Sequence, residues 1–363
     1  MNASEQSANR DEPAPKHRRR PRYSGTHPKT FQQKYKEHNI SAYPQFREHL
    51  LAKGKTPAGS HLPVLTNEII ACLAPKPGEI VVDCTVGYGG HACEFLKRIG
   101  PTGKLIALDV DNTQLQRTRL RVSAENIPVS FHHTNFAGIA KVLKIENLAA
   151  CDIIFADLGV SSMQIDNPDR GFSYKLNGPL DMRMDDRLKQ TAADLLNTLP
   201  EEKLSAALLE LADEPDHRKI ARLIVNRRAE QSFTQTSQLV DVVFYAKGII
   251  KKTWQKNRRV SKSPSLHPAA LTFQALRILV NDEIGCLKEL LRLAPYCLRP
   301  AGRIGIISFH SGEDRIVKHA FREGLRSGIY ASISETPITP QPAEIHANPR
   351  SSSAKFRFAV LNS

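Results

Sequence analysis

Five short apolar runs, each ending in a turn or an acid, restrict what this chain can fold into. They are Ile80–Asp83, Leu105–Asp109, Val129–His132, Ile153–Asp157 and Arg303–Phe309. The first four start roughly twenty to twenty-five residues apart with helix-forming sequence between them, the spacing of βαβ units. A doubly wound, Rossmann-like α/β sheet with parallel strands is the predicted fold class. The alternation stops between about residues 172 and 266, where helical patterns take over at Ala192–Asn197, Glu201–Ala212, His217–Glu230 and Ser237–Lys247. Lys251–Ser265 reads as basic and turn-rich. Helical spacing of Phe273, Leu276, Val280, Ile284, Leu287 and Leu291 predicts one helix over Pro268–Leu293. The expected organisation is a basic extension at 1–57, an α/β domain at 58–171 and 267–363, and an inserted helical domain at 172–266.

Charge bounds the partners. The chain carries a formal +14 over 363 residues, which favours a polyanion. Residues 1–57 hold twelve Lys/Arg against five Asp/Glu, so +7, half of the total, sits in that stretch. His17-Arg18-Arg19-Arg20 with Tyr23, Phe31 and Tyr35 suits an electrostatic arm for RNA; a solvated tail fits equally well. No apolar run approaches the ~20 residues that span a bilayer, and the first residues lack the apolar stretch of a secretory signal. A cytoplasmic protein without a membrane partner is expected. The six cysteines form no CxxC and no metal-ligand spacing with histidine, so they are read as reduced core residues and no metal is predicted.

Val81–Ala92 is a strand, a glycine loop and a helix start. Gly87-x-Gly89-x-x-Ala92 fits the dinucleotide fingerprint, and Asp109 follows at the end of the next run, placed to accept from ribose hydroxyls. Asp83 separates the cofactors. A carboxylate ahead of the glycines repels a pyrophosphate, which disfavours a nicotinamide dehydrogenase. It suits S-adenosyl-L-methionine, which has a cationic amino-acid end and no phosphate.

Between Asp152 and Asp185 a buried run ends in Asp157, followed by the turn Gly159-Val160-Ser161-Ser162 and a loop with neither period. All methionines beyond the first lie here: Met163, Met182 and Met184. An acid at a strand end before a long loop is where open α/β sheets place ligands.

These motifs, taken in order, resemble the bacterial ribosomal RNA small-subunit methyltransferase H (MraW-type) family. The resemblance covers about residues 60–359. It is carried by His61-x-Pro63-Val64-Leu65, the Asp83…Gly89-Gly90-His91 loop, Asp109-x-Asp111, Asn135-Phe136 and Asp157-Leu158-Gly159-Val160-Ser161-Ser162-x-Gln164. It continues through Arg170-Gly171-Phe172-Ser173, Gly178–Asp185, Phe273–Arg277, Phe309-His310-Ser311-x-Glu313-Asp314-Arg315 and Asn348-Pro349-Arg350. The chain departs from the family pattern at Met163, Gly312 and Ser352. The resemblance implies transfer of a methyl group from S-adenosylmethionine to the exocyclic N4 of a cytidine in small-subunit (16S) rRNA, free or in the assembled small ribosomal subunit. It implies cofactor contacts at Gly89, Gly90, His91, Asp109, Phe136, Asp157 and Gln164, and a helical insertion that recognises substrate.

The catalytic candidates are Asp157, as acceptor for the amine, and His310, as a base contact or proton acceptor. RNA contacts are expected at Arg183, Arg315, Lys318 and Arg350, although Asp181, Arg183 and Asp185 equally suit an internal ion-pair network. Ser311-x-x-Asp314 reads as a capping box. The chain has no Pro-Pro of the usual amino-methyltransferase motif, and no Pro-Cys or Thr-Cys that carbon-5 methylation would use. An RNA-binding assembly factor without chemistry is the alternative of a different class.

Overall fold

The computed structural model describes residues 63–122, 127–260 and 266–363, without the side chains of 258–260. The extension 1–57, His61, the Arg258 and Arg259 side chains and Lys262 lie outside the described residues. Seven strands form one sheet: β1 (Ile80–Asp83), β2 (Lys104–Asp109), β3 (Val129–His133), β4 (Cys151–Asp157), β5 (Leu298–Ser308), β6 (Tyr330–Ile333) and β7 (Lys355–Leu361). Their order is β3-β2-β1-β4-β5-β7-β6. Neighbours from β3 to β5 are parallel, whereas β7 runs antiparallel to both β5 and β6.

β6 and β7 were not legible in the sequence. Lys355-Phe356-Arg357-Phe358 looks like a half-solvated edge, yet Arg357 is buried and its Nε donates to Asp314 Oδ1 at 2.6 Å. Strand order reverses between β1 and β4. That switch point opens a crevice beyond the carboxyl ends of the strands.

The β1 run is apolar without alternation because both sheet faces are covered. Val82 packs with Ile106, Ile154 and Ile304 on one face; its neighbour Val81 packs with Leu105, Ile153 and Phe155 on the other. Flanking helices are α1 (Thr66–Leu73), α2 (Gly90–Ile99), α3 (Asn112–Val122) and α4 (Ile139–Ile145). The short α5 (Ser162–Asp166) follows β4. Next come α6 (Ala192–Thr198), α7 (Glu201–Ala212), α8 (His217–Glu230), α9 (Thr236–Ala246) and α10 (Lys251–Val260). The chain returns through α11 (Ala270–Asn281), α12 (Glu283–Cys297), α13 (Ser311–Arg326) and α14 (Pro342–Ala347). Among the described residues no helix is long and apolar enough to cross a membrane.

A second core joins the inserted helices to the loop after β4. It contains Phe172, Leu180, Met182, Leu204, Ile220, Phe233 and Val243.

Two expectations are corrected here. Lys251–Ser265 is not all turn: α10 forms because Trp254 anchors its charged sequence edge-on to Phe244, ring centroids 5.7 Å apart. The helix expected over Pro268–Leu293 is two, broken at Asp282, whose φ is 47°. Phe273 and Leu276 of α11 enter the helical core, while Leu287 and Leu291 of α12 enter the sheet core. One apolar period serves two cores on either side of a bend, so spacing alone hides the break.

Candidate active site

A cavity of about 860 Å³ lies at the switch point, within the size range of small-molecule sites. Its floor is the β1–α2 loop. Asp83 Oδ1 accepts from the Thr85 N–H at 3.1 Å, and Thr85 Oγ accepts from the Asp157 N–H at 2.6 Å, coupling β1 to β4. Gly87 donates its N–H to Asp109 Oδ2 at 2.8 Å, which couples the loop to β2. Gly89 turns the chain into α2 at φ 76°, and a Cβ there would meet Thr118 Cγ2 of α3 at 2.9 Å. Only glycine suits both demands.

Three carboxylates gather at these strand ends, and burial is the first cause that raises each pKa. Asp83 rises to about 8, with repulsion from Asp157 and Asp109 adding to burial. Asp109 rises to about 6, held back by the N–H groups it accepts. Asp157 rises to about 7 through burial and then the charge of Glu313. Its Oδ1 is buried without a hydrogen-bond partner, and Oδ2 lies 3.8 Å from His91 Nδ1. His91 Nε2 donates to the Val64 carbonyl at 2.9 Å, leaving the Nδ1 lone pair toward Asp157. Burial holds the ring neutral, down to about 4.

Among the described residues no Lys or Arg pairs with Asp83, Asp109 or Asp157. Mutually repelling acids and an orphaned carboxylate oxygen fit a cationic ligand and oppose a pyrophosphate. That donor set matches the sulfonium and ammonium of S-adenosylmethionine.

The far wall comes from the turn after β4. Ser161 caps α5, and Gln164 closes the box by accepting the Ser161 N–H at 2.8 Å. Gln164 Nε2 then donates to Asp111 Oδ2 at 2.9 Å, where Arg170 Nη1 also donates at 2.8 Å. Arg170 Nη2 reaches the carbonyls of Arg183 and Met184. Burial alone would raise Asp111, yet Arg170 and Gln164 hold it below the usual carboxylate range. Asp111 and Arg170 were only motif letters in the sequence; no local pattern reveals that they meet.

The expected site residues sort unevenly. Gly90, His91, Asp109, Phe136, Asp157, Gln164 and Arg350 line the cavity, and Arg350 pairs with Asp166 at 2.8 Å. Asp83 and Gly89 lie behind the lining; they shape the loop. Arg183 grips Asp181 in a fork at 2.7 and 2.8 Å and donates to the Leu188 carbonyl, so its guanidinium fixes its own loop. Asp185 pairs with Arg187, not Arg183.

His310 also stands back from the lining, as N-cap of α13. Its Nδ1 accepts from the Glu313 N–H at 3.4 Å, and Nε2 approaches Glu313 Oε1 at 3.1 Å without hydrogen-bond alignment. The capping residues are therefore His310 and Glu313, one position before the expected Ser311 and Asp314, because Asp314 is taken by Arg357 and Lys355. Arg315 is exposed, 3.7 Å from Asp213, and Lys318 is half-buried beyond it on the same helix. Sequence reasoning missed Arg277, which lines the cavity and grips Glu283 at 2.8 and 2.9 Å.

The profile of the MraW methylase family matches residues 58–361. A protein of Lachnoclostridium phytofermentans named ribosomal RNA small subunit methyltransferase H 1 is 42% identical over 350 residues, covering 95% of this chain and 93% of that protein. One of Alkaliphilus metalliredigens, named ribosomal RNA small subunit methyltransferase H 2, is 41% identical over 349 residues, covering 95% and 98%.

Proposed function

This chain belongs to the MraW methylase family, and from that premise we infer its reaction. It methylates the exocyclic N4 of a cytidine in small-subunit (16S) ribosomal RNA, with S-adenosylmethionine as methyl donor. A ribosomal RNA substrate fits a cytoplasmic protein.

When bound, the cofactor supplies an electrophilic methyl group on a sulfonium. Gly90, His91, Asp109, Phe136 and Gln164 are the residues that would hold it. Cytosine N4 is a poor nucleophile because its lone pair is delocalised into the ring. An acceptor for the N4–H hydrogens favours the pyramidal, nucleophilic amine and holds it in line. Asp157 does this. The observation that carries the assignment is its Oδ1, a buried acceptor without a partner at the cavity wall. The amine loses one proton as the N–C bond forms, and an ionised Asp157 takes it. His91, held neutral with its Nε2–H on Val64, neither competes for that charge nor donates to Asp157. His310, behind Glu313, belongs to the scaffold of this wall. Arg350, Arg315 and Lys318 stand on the rim and beyond it, where they meet RNA phosphates.

The test is transfer of labelled methyl to small subunits that lack the mark, with mass analysis of the modified nucleoside. The methyl is expected on cytidine N4; transfer to carbon 5, or none by cofactor-binding protein, would falsify the reading. Asp157→Asn should lower turnover by about 10²–10³ with cofactor affinity kept. Normal turnover in the folded variant removes Asp157 from the chemistry. In the wild type, turnover should climb with pH as Asp157 ionises, with a midpoint near or below 7, because a bound cation favours the carboxylate.

A further inference from the structure

A second cavity, of about 640 Å³, opens in the helical layer beside the first. The two share a wall, since Tyr174 and Lys175 line both. Its character is the opposite of the first. Among the described residues no Asp or Glu lines it; Lys175 and Lys251 do, and Lys252 and Lys256 of α10 are exposed close by in sequence. Lys251 Nζ also donates to Asp241 at the surface, 2.7 Å away.

The walls are aromatic. Tyr174 and His267 stack with ring centroids 4.3 Å apart and planes 20° from parallel. Trp254 meets His267 edge-on at 4.7 Å, and Phe244 closes the back. Phe244 is buried, whereas Tyr174, Trp254 and His267 are half-buried. Exposed Asn177 and Gln255 add amides that can read base edges.

A plain core cluster would close over its rings. This one keeps an open cavity, has no acid among its described lining residues and shares a wall with the site where the target base must lie. Aromatic faces with flanking lysines are how unpaired nucleotides are held, because every base has a π face and every phosphate a charge.

We propose that this cavity is a second base-binding subsite, which takes an unpaired nucleotide neighbouring the target cytidine in the same RNA strand. The base lies against the Trp254, His267 and Tyr174 walls, and the phosphates lie toward Lys175 and Lys251. The proposal rests on the reading of the first cavity as an RNA methylation site. On it, the inserted helices fix the strand on one side, so that the target amine is held at Asp157.

Trp254 is the only tryptophan in the chain, so its emission reports on this cavity. The full chain saturated with S-adenosylhomocysteine is titrated with a single-stranded oligocytidylate. Saturable quenching that weakens with salt is expected; no quenching at concentrations where the oligonucleotide is shown to bind overturns the subsite. Trp254→Ala should weaken oligonucleotide binding by roughly ten- to hundredfold, from the loss of one stacking contact. Trp254→Phe, which keeps a ring and the fold, should recover most of it. Equal affinity in all three proteins overturns the proposal, as does quenching by an acidic peptide with none by the oligonucleotide. Methyl transfer to small subunits is scored separately. Quenching without transfer by the wild type would sink the functional reading and leave the subsite, whereas transfer with no quenching would sink the subsite alone.

Discussion

The strand ends and the loop that faces them treat charge in opposite ways. At the ends of β1, β2 and β4, three carboxylates sit together without Lys or Arg partners among the described residues, and all three are pushed toward protonation. Across the cavity, in residues 170–187, almost every charge has a partner: Arg170 with Asp111, Arg183 with Asp181, Arg187 with Asp185. Unsatisfied charge is costly in a protein interior, so a fold keeps it only where a ligand completes it. Paired charge instead holds a loop that has no secondary structure to hold it. Residue type alone does not separate these roles, because both regions are rich in aspartate.

Breaking the paired side should cost most in stability. Arg170→Ala leaves Asp111, only 3% exposed, with amide donors alone. A loss of about 3 kcal/mol is expected in urea unfolding; a loss near zero would show that Gln164 and Gln114 suffice, and the contrast would fail.

The unpaired side should show itself through pH. The folded Asp83 carboxyl titrates at about 8, against an ordinary 3.8. Between those values the folded protein keeps a proton that the unfolded chain has released, so stability falls as pH rises through that window. Asp83→Asn keeps an acceptor for the Thr85 N–H and should flatten much of that slope in the cofactor-free protein. An unchanged slope between pH 5 and 8 would mean that Asp83 is not the strained member of the cluster.

The smallest effect is expected at Arg183. Its pair with Asp181 is a quarter exposed on each side, so Arg183→Ala should cost about 1 kcal/mol or less. The salt dependence of RNA binding should not move. A slope reduced by about one would return Arg183 to the RNA contacts.

Much of the sheet was legible because its strands are buried on both faces and read as unbroken apolar runs. β1 was located to the residue, and β2 to β4 within two. β7 escaped because its charge is buried against a partner 43 positions away, Asp314. In the site, the glycine loop and the three strand-end acids could be read because turns and strand ends are local features. Arg170 could not, since its partner Asp111 lies 59 positions away; Arg277 pairs locally with Glu283, and only the packing of α11 brings it to the cavity. The methionines left open by the sequence divide: Met163 and Met184 line the cavity, and Met182 fills the helical core.

The sequence by itself determined the βαβ frame and the acids that end its strands. Those follow from short-range periodicity and from the conformational demands of glycine. Only the tertiary structure decided which charges are left unpaired. Pairing depends on distances between segments far apart in the chain, and a linear pattern carries no such distances. The same packing sets an aromatic cavity, without acids among its described lining residues, beside a cavity lined with acids, through two residues, Tyr174 and Lys175, that belong to both.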